Sequence, residues 1–385
     1  MRDYGTSFQV VCSATEFNEP DQYEVDGIPV NRIVSPWMRS LGRFRSVGLA
    51  RRLTNYLVFR SEMAKTDQWL SDKNFDLVHV FGFSPVTLAT IRWAKKRGIP
   101  VMRELVNRVD SPFQYPPGHK LDPAFEPRSG SVYTAISEQL GDVCKAHGLI
   151  ENVWVRPNPV NLSGFEYADQ ATRSTNRKEL TTFSDDDTVL VFVSKFRKSK
   201  NHEFLIDVIE RLPDRFKLLL AGPLSSELDS VPGFSEESIR SFTHNIKERG
   251  LADRISVQPG FVDAAKYMSA GDIFCMPPEN EAMGTPLLEA LATGLPSVAN
   301  AEESSFHEWV VENENGYLRR LSADEWAAAV IEAEQFSETR RKTIATDIAR
   351  KVSSEIIDRD YMALFRAMIA SEPGEIVDVE KVLSR

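Results

Sequence analysis

The sequence predicts an α/β protein built as two doubly wound domains, and three observations carry that expectation. Short runs rich in β-branched residues alternate with longer helical stretches along the chain, the pattern of βα units around parallel sheets. At 385 residues the chain is too long for one ordinary hydrophobic core, so two cores of roughly 150 to 200 residues are expected. Between the two series lies WVRPNPVN (residues 154–161), followed by the polar stretch GFEYADQATRSTNRKE. Its two prolines and run of polar residues interrupt the pattern as a domain boundary does.

Taken in order, the first series places strands at FQVVCSA (8–14), FDLVHVFG (75–82), PVMREL (100–105) and SVYTAIS (131–137), with a helix over 85–97. The second places them at TVLVFVSK (188–195), FKLLLAG (216–222), RISVQPG (254–260), DIFCMPP (272–278) and LPSVAN (295–300). A last helix over 353–370 carries Ile356, Ile357, Tyr361, Leu364, Phe365 and Ile369 at helical spacing. The expected domains are residues 1–165 and 166–345, with 346–385 as a closing helix and tail.

Hydrophobic residues make up 42% of the chain and charged residues 26%, an ordinary globular composition. A net charge of −10 speaks against a general attraction to nucleic acid. Cys12, Cys144 and Cys275 are odd in number, far apart and without CxxC spacing, so neither a disulfide framework nor a zinc site is expected, and a reducing cytoplasm fits. No apolar run approaches the roughly 20 residues of a membrane span, and the start of the chain has no signal-peptide core.

The strongest local signal is PENEAMGTPLLEALATGLPSVAN (278–300), in which Glu281 and Glu289 stand eight apart with a Gly-x-Pro turn between them. A helix should start at Thr285 or Pro286, where proline suits the first turn and open backbone N–H groups seat a phosphate. Taken alone, two glutamates at that spacing are a solvated helix face, and KFRKSK (195–200) is a surface charge run. Their strand–turn–helix setting is what makes them candidates.

This stretch closely resembles the E-x7-E motif of the retaining B-type glycosyltransferases, the large group 1 (family 4-like) class. VFVSKFRKSKNHEFLIDVI (191–209) resembles the family's G-R-L-x-x-x-K segment, and KLLLAGP (217–223) its following strand and glycine turn. Gly260, Phe261 and Val262 match its Gly-Phe-x segment, while AISEQLGDVCKAHGL (135–149) and VRPNPVN match its domain junction. The resemblance covers nearly all of residues 70–320. It implies two Rossmann-like domains facing across a cleft, and retaining transfer from a UDP- or GDP-sugar donor without cofactor or metal ion. The acceptor it implies is a glycan, a glycolipid or other lipid-linked molecule, or a small molecule.

The resemblance also assigns roles. Lys195 stands where the family has arginine, and Lys200 matches the family's lysine. Both would neutralise the donor diphosphate as it leaves, Lys195 without the bidentate fork of an arginine. Glu281 would accept hydrogen bonds from the transferred sugar, backbone N–H groups from Gly284 through Thr285 and Pro286 to Leu287 would hold sugar and phosphates, and Glu289 would accept from the ribose. Gly260 and Phe261 complete the donor side. His79 ends a buried strand, where groups of open α/β sheets emerge, and is a candidate catalytic residue as well as a candidate structural one. The family's second histidine is here Phe81. His202 reads as a surface residue at a helix start, and His119, His147, His244 and His307 show no metal-ligand spacing.

Two departures stand out. A strand resembling GTSFQVVCSA (5–14) normally follows a strand, glycine-rich loop and helix, so one βα unit of the first domain is expected to be missing. An upstream start, a truncated gene and an adapted domain are the competing explanations. After Asn300 the family's G-G-x-x-E is replaced by AEESSFHEW (301–309), with Glu308 as the candidate counterpart of its glutamate. From Pro36 to Arg60 the chain carries Arg39, Arg43, Arg45, Arg51, Arg52 and Arg60 with no acidic residue, interleaved with Trp37, Leu41, Phe44, Leu49, Leu53 and Leu57. On a helix this is a basic amphipathic surface suited to an anionic membrane, or a helix packed on its own sheet with arginines in water. Competing functions are a catalytically silent nucleotide-sugar-binding subunit and a sugar-nucleotide epimerase or hydrolase.

Overall fold

The computed structural model describes residues 5–14, 21–37, 48–113, 130–224 and 234–384. The chain divides into two compact units, Met1–Arg156 with Asp358–Arg385, and Pro157–Ile357. The change of unit falls within the proline-rich segment 154–161.

In the first unit β1 (Val10–Ser13), β2 (Gln22–Val25) and β3 (Ile28–Ile33) form a three-stranded sheet in the order β1-β3-β2. β2 and β3 are an antiparallel hairpin whose turn is Asp26-Gly27, both at positive φ (49° and 72°), the conformation that matches the strands' right-handed twist. A long helix α1 (Gly48–Leu70) follows. Then come β4 (Val78–Phe81), α2 (Pro85–Arg97), β5 (Val101–Leu105), β6 (Ser131–Ala135), α3 (Glu138–Ala146) and β7 (Val153–Val155). Strands β4 to β7 form a parallel sheet in sequence order. Among the described strands β1 and β4 belong to different sheets, although the sequence pattern puts both in one series.

Helix α2 starts where Ser84 makes a capping box with Thr87 and Pro85 fills the first turn, and it ends at Gly98 with φ of 69°. β5 and β6 are buried over their full length, as parallel strands covered on both faces should be. On α1, Thr54, Glu62, Met63, Thr66 and Leu70 are buried while Arg52, Leu53, Tyr56 and Arg60 are exposed. The remainder of the basic segment, residues 38–47 and the side chains of Leu49 and Arg51, lies outside the described residues.

The second unit runs α4 (Gln170–Leu180), β8 (Thr188–Val193), α5 (His202–Arg211), β9 (Phe216–Gly222), α6 (Glu236–Glu248), β10 (Ile255–Pro259), α7 (Ala264–Met268), β11 (Ile273–Met276), α8 (Thr285–Ala292), β12 (Ser297–Asn300), β13 (Gly316–Arg319), α9 (Ala323–Glu334) and α10 (Glu338–Val352). Its six strands are all parallel in the order β10-β9-β8-β11-β12-β13. β8, β9, β11 and β12 are almost wholly buried, the near-continuous apolar reading expected of a doubly wound sheet. At the N-terminal end of β11, Arg173 and Arg177 pair with Asp272, and Arg341 donates to the Asp272 backbone carbonyl, a structural knot at the end of the sheet away from the β8 and β11 loops. Helix α11 (Ser354–Ala370) follows, and from Asp358 the chain belongs to the first unit, ending in α12 (Val379–Leu383).

Candidate functional site

In the second unit the strand order reverses between β8 and β11: β9 and β10 extend to one side, β12 and β13 to the other. Loops leaving the carboxyl ends of β8 and β11 must therefore diverge and leave a crevice, the place where open α/β sheets bind ligands. The loop after β8 is Ser194–Asn201 and the loop after β11 is Pro277–Gly284, so the two sequence segments that carry the motifs meet there.

They are tied by named contacts. The Lys200 ammonium pairs with the Glu281 carboxylate, both side chains mostly buried. The Glu279 N–H donates to the Ser199 carbonyl at 3.1 Å, and Asn201 Nδ2 to the Pro277 carbonyl at 3.2 Å. Lys195 is half-buried just beyond β8. Its backbone is approached so closely by the turn after β9 that a Cβ on Gly222 (φ 143°) would lie 2.1 Å from the Ser194 carbonyl oxygen, a position only glycine can fill.

Helix α8 begins at Thr285 as expected, after Gly284 at φ 80°, where a Cβ would come within 2.6 Å of the Phe306 ring. The N–H supply at this start is narrower than the sequence suggests. Pro286 has no N–H, and the Leu287 N–H is already given to the Gly284 carbonyl at 2.9 Å because the first turn closes tightly, so Leu287 is not an open phosphate donor. Thr285 Oγ1 accepts from Asn158 Nδ2 at 3.0 Å. Glu289 lies one turn into α8, where burial raises its carboxyl above the ordinary carboxylate range. Among the described residues its side chain has no hydrogen-bond or ion partner.

Gly260 (φ 134°) and Phe261 follow β10, two strands from β8; the Gly260 N–H is bonded to the Gly222 carbonyl at 2.8 Å and the Phe261 ring is 97% exposed. His79 belongs to the first unit and its surroundings are separate: Nε2 lies 2.7 Å from Glu104 Oε1, and the Phe81 ring lies against the imidazole at 4.5 Å.

Two findings run against the sequence reading or beyond it. His202 is not a surface residue but 1% exposed, enclosed by Phe192, Phe196 and Phe234, with Nε2 3.3 Å from the Ser194 hydroxyl. It faces inward because α5 lays its first turn on β8, and burial together with the Lys200 charge pushes its imidazole down to about 3. Glu303 was not singled out, yet its buried carboxylate accepts the Asn280 N–H at 2.7 Å and the Glu281 N–H at 3.0 Å, fixing the loop that presents Glu281. Asn300 supports the same loop from below through the Pro278 carbonyl at 3.1 Å. The signal in the sequence is an acid shortly after a strand, in the segment where the resemblance points to Glu308. Among the described residues no group of three or more His, Cys, Asp or Glu is placed to hold a metal ion.

With this geometry in place, residues 173–350 match the family described as glycosyl transferases group 1. Over that segment, a little under half of the chain, the sequence is similar to the group 1 glycosyltransferases. Every candidate of the second unit, from Lys195 to Glu289, lies inside the matched residues, and His79 lies outside them. A D-inositol 3-phosphate glycosyltransferase from Xylanimonas cellulosilytica is 25% identical over 49% of this chain and 45% of its own length. The putative glycosyltransferase EpsF of Bacillus subtilis is 28% identical over 52% of this chain and 49% of its own length. The matched part thus spans about half the length of these curated relatives.

Solved structures extend the likeness of fold over most of the chain. The sucrose-phosphate synthase of Thermosynechococcus elongatus superposes with a TM-score of 0.71 at 17% identity, covering 96% of this chain and 90% of its own. HepE from Anabaena, solved in complex with UDP-glucose, gives 0.66 at 19% identity over 88% and 86%. Both units are Rossmann-like in the manner of these B-type glycosyltransferases.

Proposed function

We propose that this chain is a retaining glycosyltransferase that moves a sugar from a UDP- or GDP-sugar to a glycan, lipid-linked or small-molecule acceptor. The observation that carries the reading is the Lys200–Glu281 pair set at the β8/β11 switch point, with an unpartnered Glu289 one turn into the following helix. In this reading the bond from the sugar's anomeric carbon to the diphosphate oxygen breaks with its electrons staying on that oxygen, an acceptor hydroxyl oxygen bonds to the carbon, and the hydroxyl proton passes to the departing diphosphate. Lys195 and Lys200 neutralise the departing diphosphate, the Gly284 and Thr285 N–H groups hold its oxygens, and Glu281 accepts from the sugar hydroxyls. Glu289 accepts from the ribose, and the exposed Phe261 offers a ring face to the base. His79 meets a substrate hydroxyl. No metal ion takes part, because two lysines and backbone N–H groups supply the positive charge.

The reading places the protein in the cytoplasm, at the inner membrane face, with the exposed Arg52, Leu53, Tyr56 and Arg60 of α1 against anionic lipid. A silent nucleotide-sugar-binding subunit is the second reading, favoured by Phe81 in the position of the family's second histidine. Calorimetry with UDP and GDP, on the wild type and Glu289→Ala, tests the donor site. Binding of one nucleotide that the substitution abolishes supports it, and a folded chain that binds neither refutes it. Turnover of the matching nucleotide-sugar then separates transferase from silent subunit.

A further inference from the structure

The first unit holds a buried polar cluster of which only His79 has been given a role so far. Glu104 is fully buried near the end of β5, and four side chains converge on it or on each other: His79 from β4, Arg156 just past β7, Tyr361 from α11, and Thr134 from β6. His79 Nε2 lies 2.7 Å from Glu104 Oε1, and Arg156 Nη2 lies 2.5 Å from Glu104 Oε2. The Tyr361 hydroxyl reaches Glu104 Oε1, and Arg156 Nη2 also reaches the Tyr361 oxygen. The imidazole is flanked by the rings of Phe81 at 4.5 Å and of Tyr361 and Phe365 at 5.6 Å each.

Counting protons fixes the directions. The two N–H groups of Arg156 Nη2 serve Glu104 and the Tyr361 oxygen, so the single Tyr361 proton goes to Glu104 Oε1. Burial alone would raise the Glu104 carboxyl, but His79 and Arg156 outweigh it and hold Glu104 below the ordinary carboxylate range. An ionised carboxylate only accepts, so the ring nitrogen facing it must carry hydrogen. In the neutral ring Nδ1 is then the lone-pair nitrogen, and among the described residues it has no hydrogen-bond partner.

We propose that Glu104, Arg156 and Tyr361 are positioning residues that lock His79 as the Nε2–H tautomer, leaving Nδ1 as the acceptor for a substrate hydroxyl. This rests on the reading in which His79 meets substrate. It gives the C-terminal helix a chemical task, since Tyr361 comes from α11. The arrangement also sets apart Glu104 from Glu281: one orients a ring from behind, the other faces the donor.

The test reads the tautomer directly. Nitrogen-15 spectra of histidine-labelled protein at about pH 8 distinguish Nδ1–H from Nε2–H rings, and loss of one of the six histidine signals in His79→Ala assigns the ring. The expected result is a single Nε2–H form. In Glu104→Gln, Arg156 still needs the oxygen, so the amide NH2 faces His79; the ring should flip to Nδ1–H and kcat should fall roughly ten- to a hundredfold with donor KM nearly unchanged. A wild-type ring that is Nδ1–H, doubly protonated or mixed overturns the proposal, and that measurement needs no variant to fold. A locked Nε2–H ring with full turnover in His79→Ala overturns it by another route, by removing His79 from the substrate while leaving the clamp intact.

Discussion

Lowering pH should weaken the second unit in part through one residue, His202. Its imidazole is enclosed by three phenylalanines and pushed down to about 3, against 6.5 for an ordinary histidine. The folded unit therefore holds it neutral while the unfolded chain protonates it. A group depressed in this way costs nothing above the unfolded value, and stability is lost as pH falls below about 6.5. Each unit of pH is worth about 1.4 kcal/mol, so the step from pH 7 to pH 5 removes about 2 kcal/mol. Carboxylates such as Glu104 and Glu338, held below their ordinary range, also lose stability in acid, so the wild type alone does not isolate the histidine. Urea unfolding of wild type and His202→Phe at both pH values does, because the phenylalanine suits the same aromatic cage and does not titrate. The stability difference between the two proteins should move by about 2 kcal/mol in favour of the variant at pH 5. A difference that stays flat would refute the burial argument.

Four further outcomes follow from the geometry. Lys200→Ala should lower kcat by roughly a hundred- to a thousandfold if it stabilises the leaving diphosphate, and Lys200→Arg should recover part of the loss, read by nucleotide release. A nucleotide-sugar should bind more tightly than the bare nucleotide, and Glu281→Gln should narrow that ratio; equal ratios by calorimetry would remove Glu281 from the sugar. Turnover should survive EDTA unchanged, whereas a loss restored by added magnesium would bring a metal into the donor site. Vesicles containing phosphatidylserine should retain the protein in flotation, and Arg52→Glu combined with Arg60→Glu should release it; equal retention of both proteins would count against the membrane face.

The second unit is legible from its sequence because parallel strands buried on both faces leave long apolar runs, and because Gly284 and Pro286 punctuate the turn into α8 in a way few other structures require. The β2–β3 hairpin is missing from that reading although Asp26-Gly27 is a strong turn signal, since its strands are short, β2 is mostly exposed, and β3 is interrupted by Pro29 and two polar residues. His202 was misplaced because its neighbours in sequence, Lys200, Asn201 and Glu203, are polar, while the aromatic residues that enclose it come from β8, the loop after it and residue 234. Leu287 failed as a donor for a backbone reason invisible in residue types: a tight first turn consumes its N–H. The Glu104 cluster draws on three strands, the residue after a fourth, and a helix some 200 residues later, and no spacing rule reaches that far.

What joins these observations at the proposed donor site is a balance of charge. Lys200 and Glu281 cancel each other at the mouth of the crevice, while Glu303 sits behind them with its negative charge spread over two backbone N–H groups. A diphosphate arriving there meets a lysine already engaged, so Lys200 turns to it only if Glu281 finds another partner. Sugar hydroxyls are that partner, since they donate to a carboxylate at little cost in charge. A nucleotide without its sugar frees Lys200 only by leaving Glu281 half-buried and unpaired, a penalty of about 1–3 kcal/mol for a lost partner. On the proposed reading the pair would couple recognition of the sugar to recognition of the diphosphate. Glu303 makes that coupling effective by holding the Glu281 backbone still while its side chain changes hands.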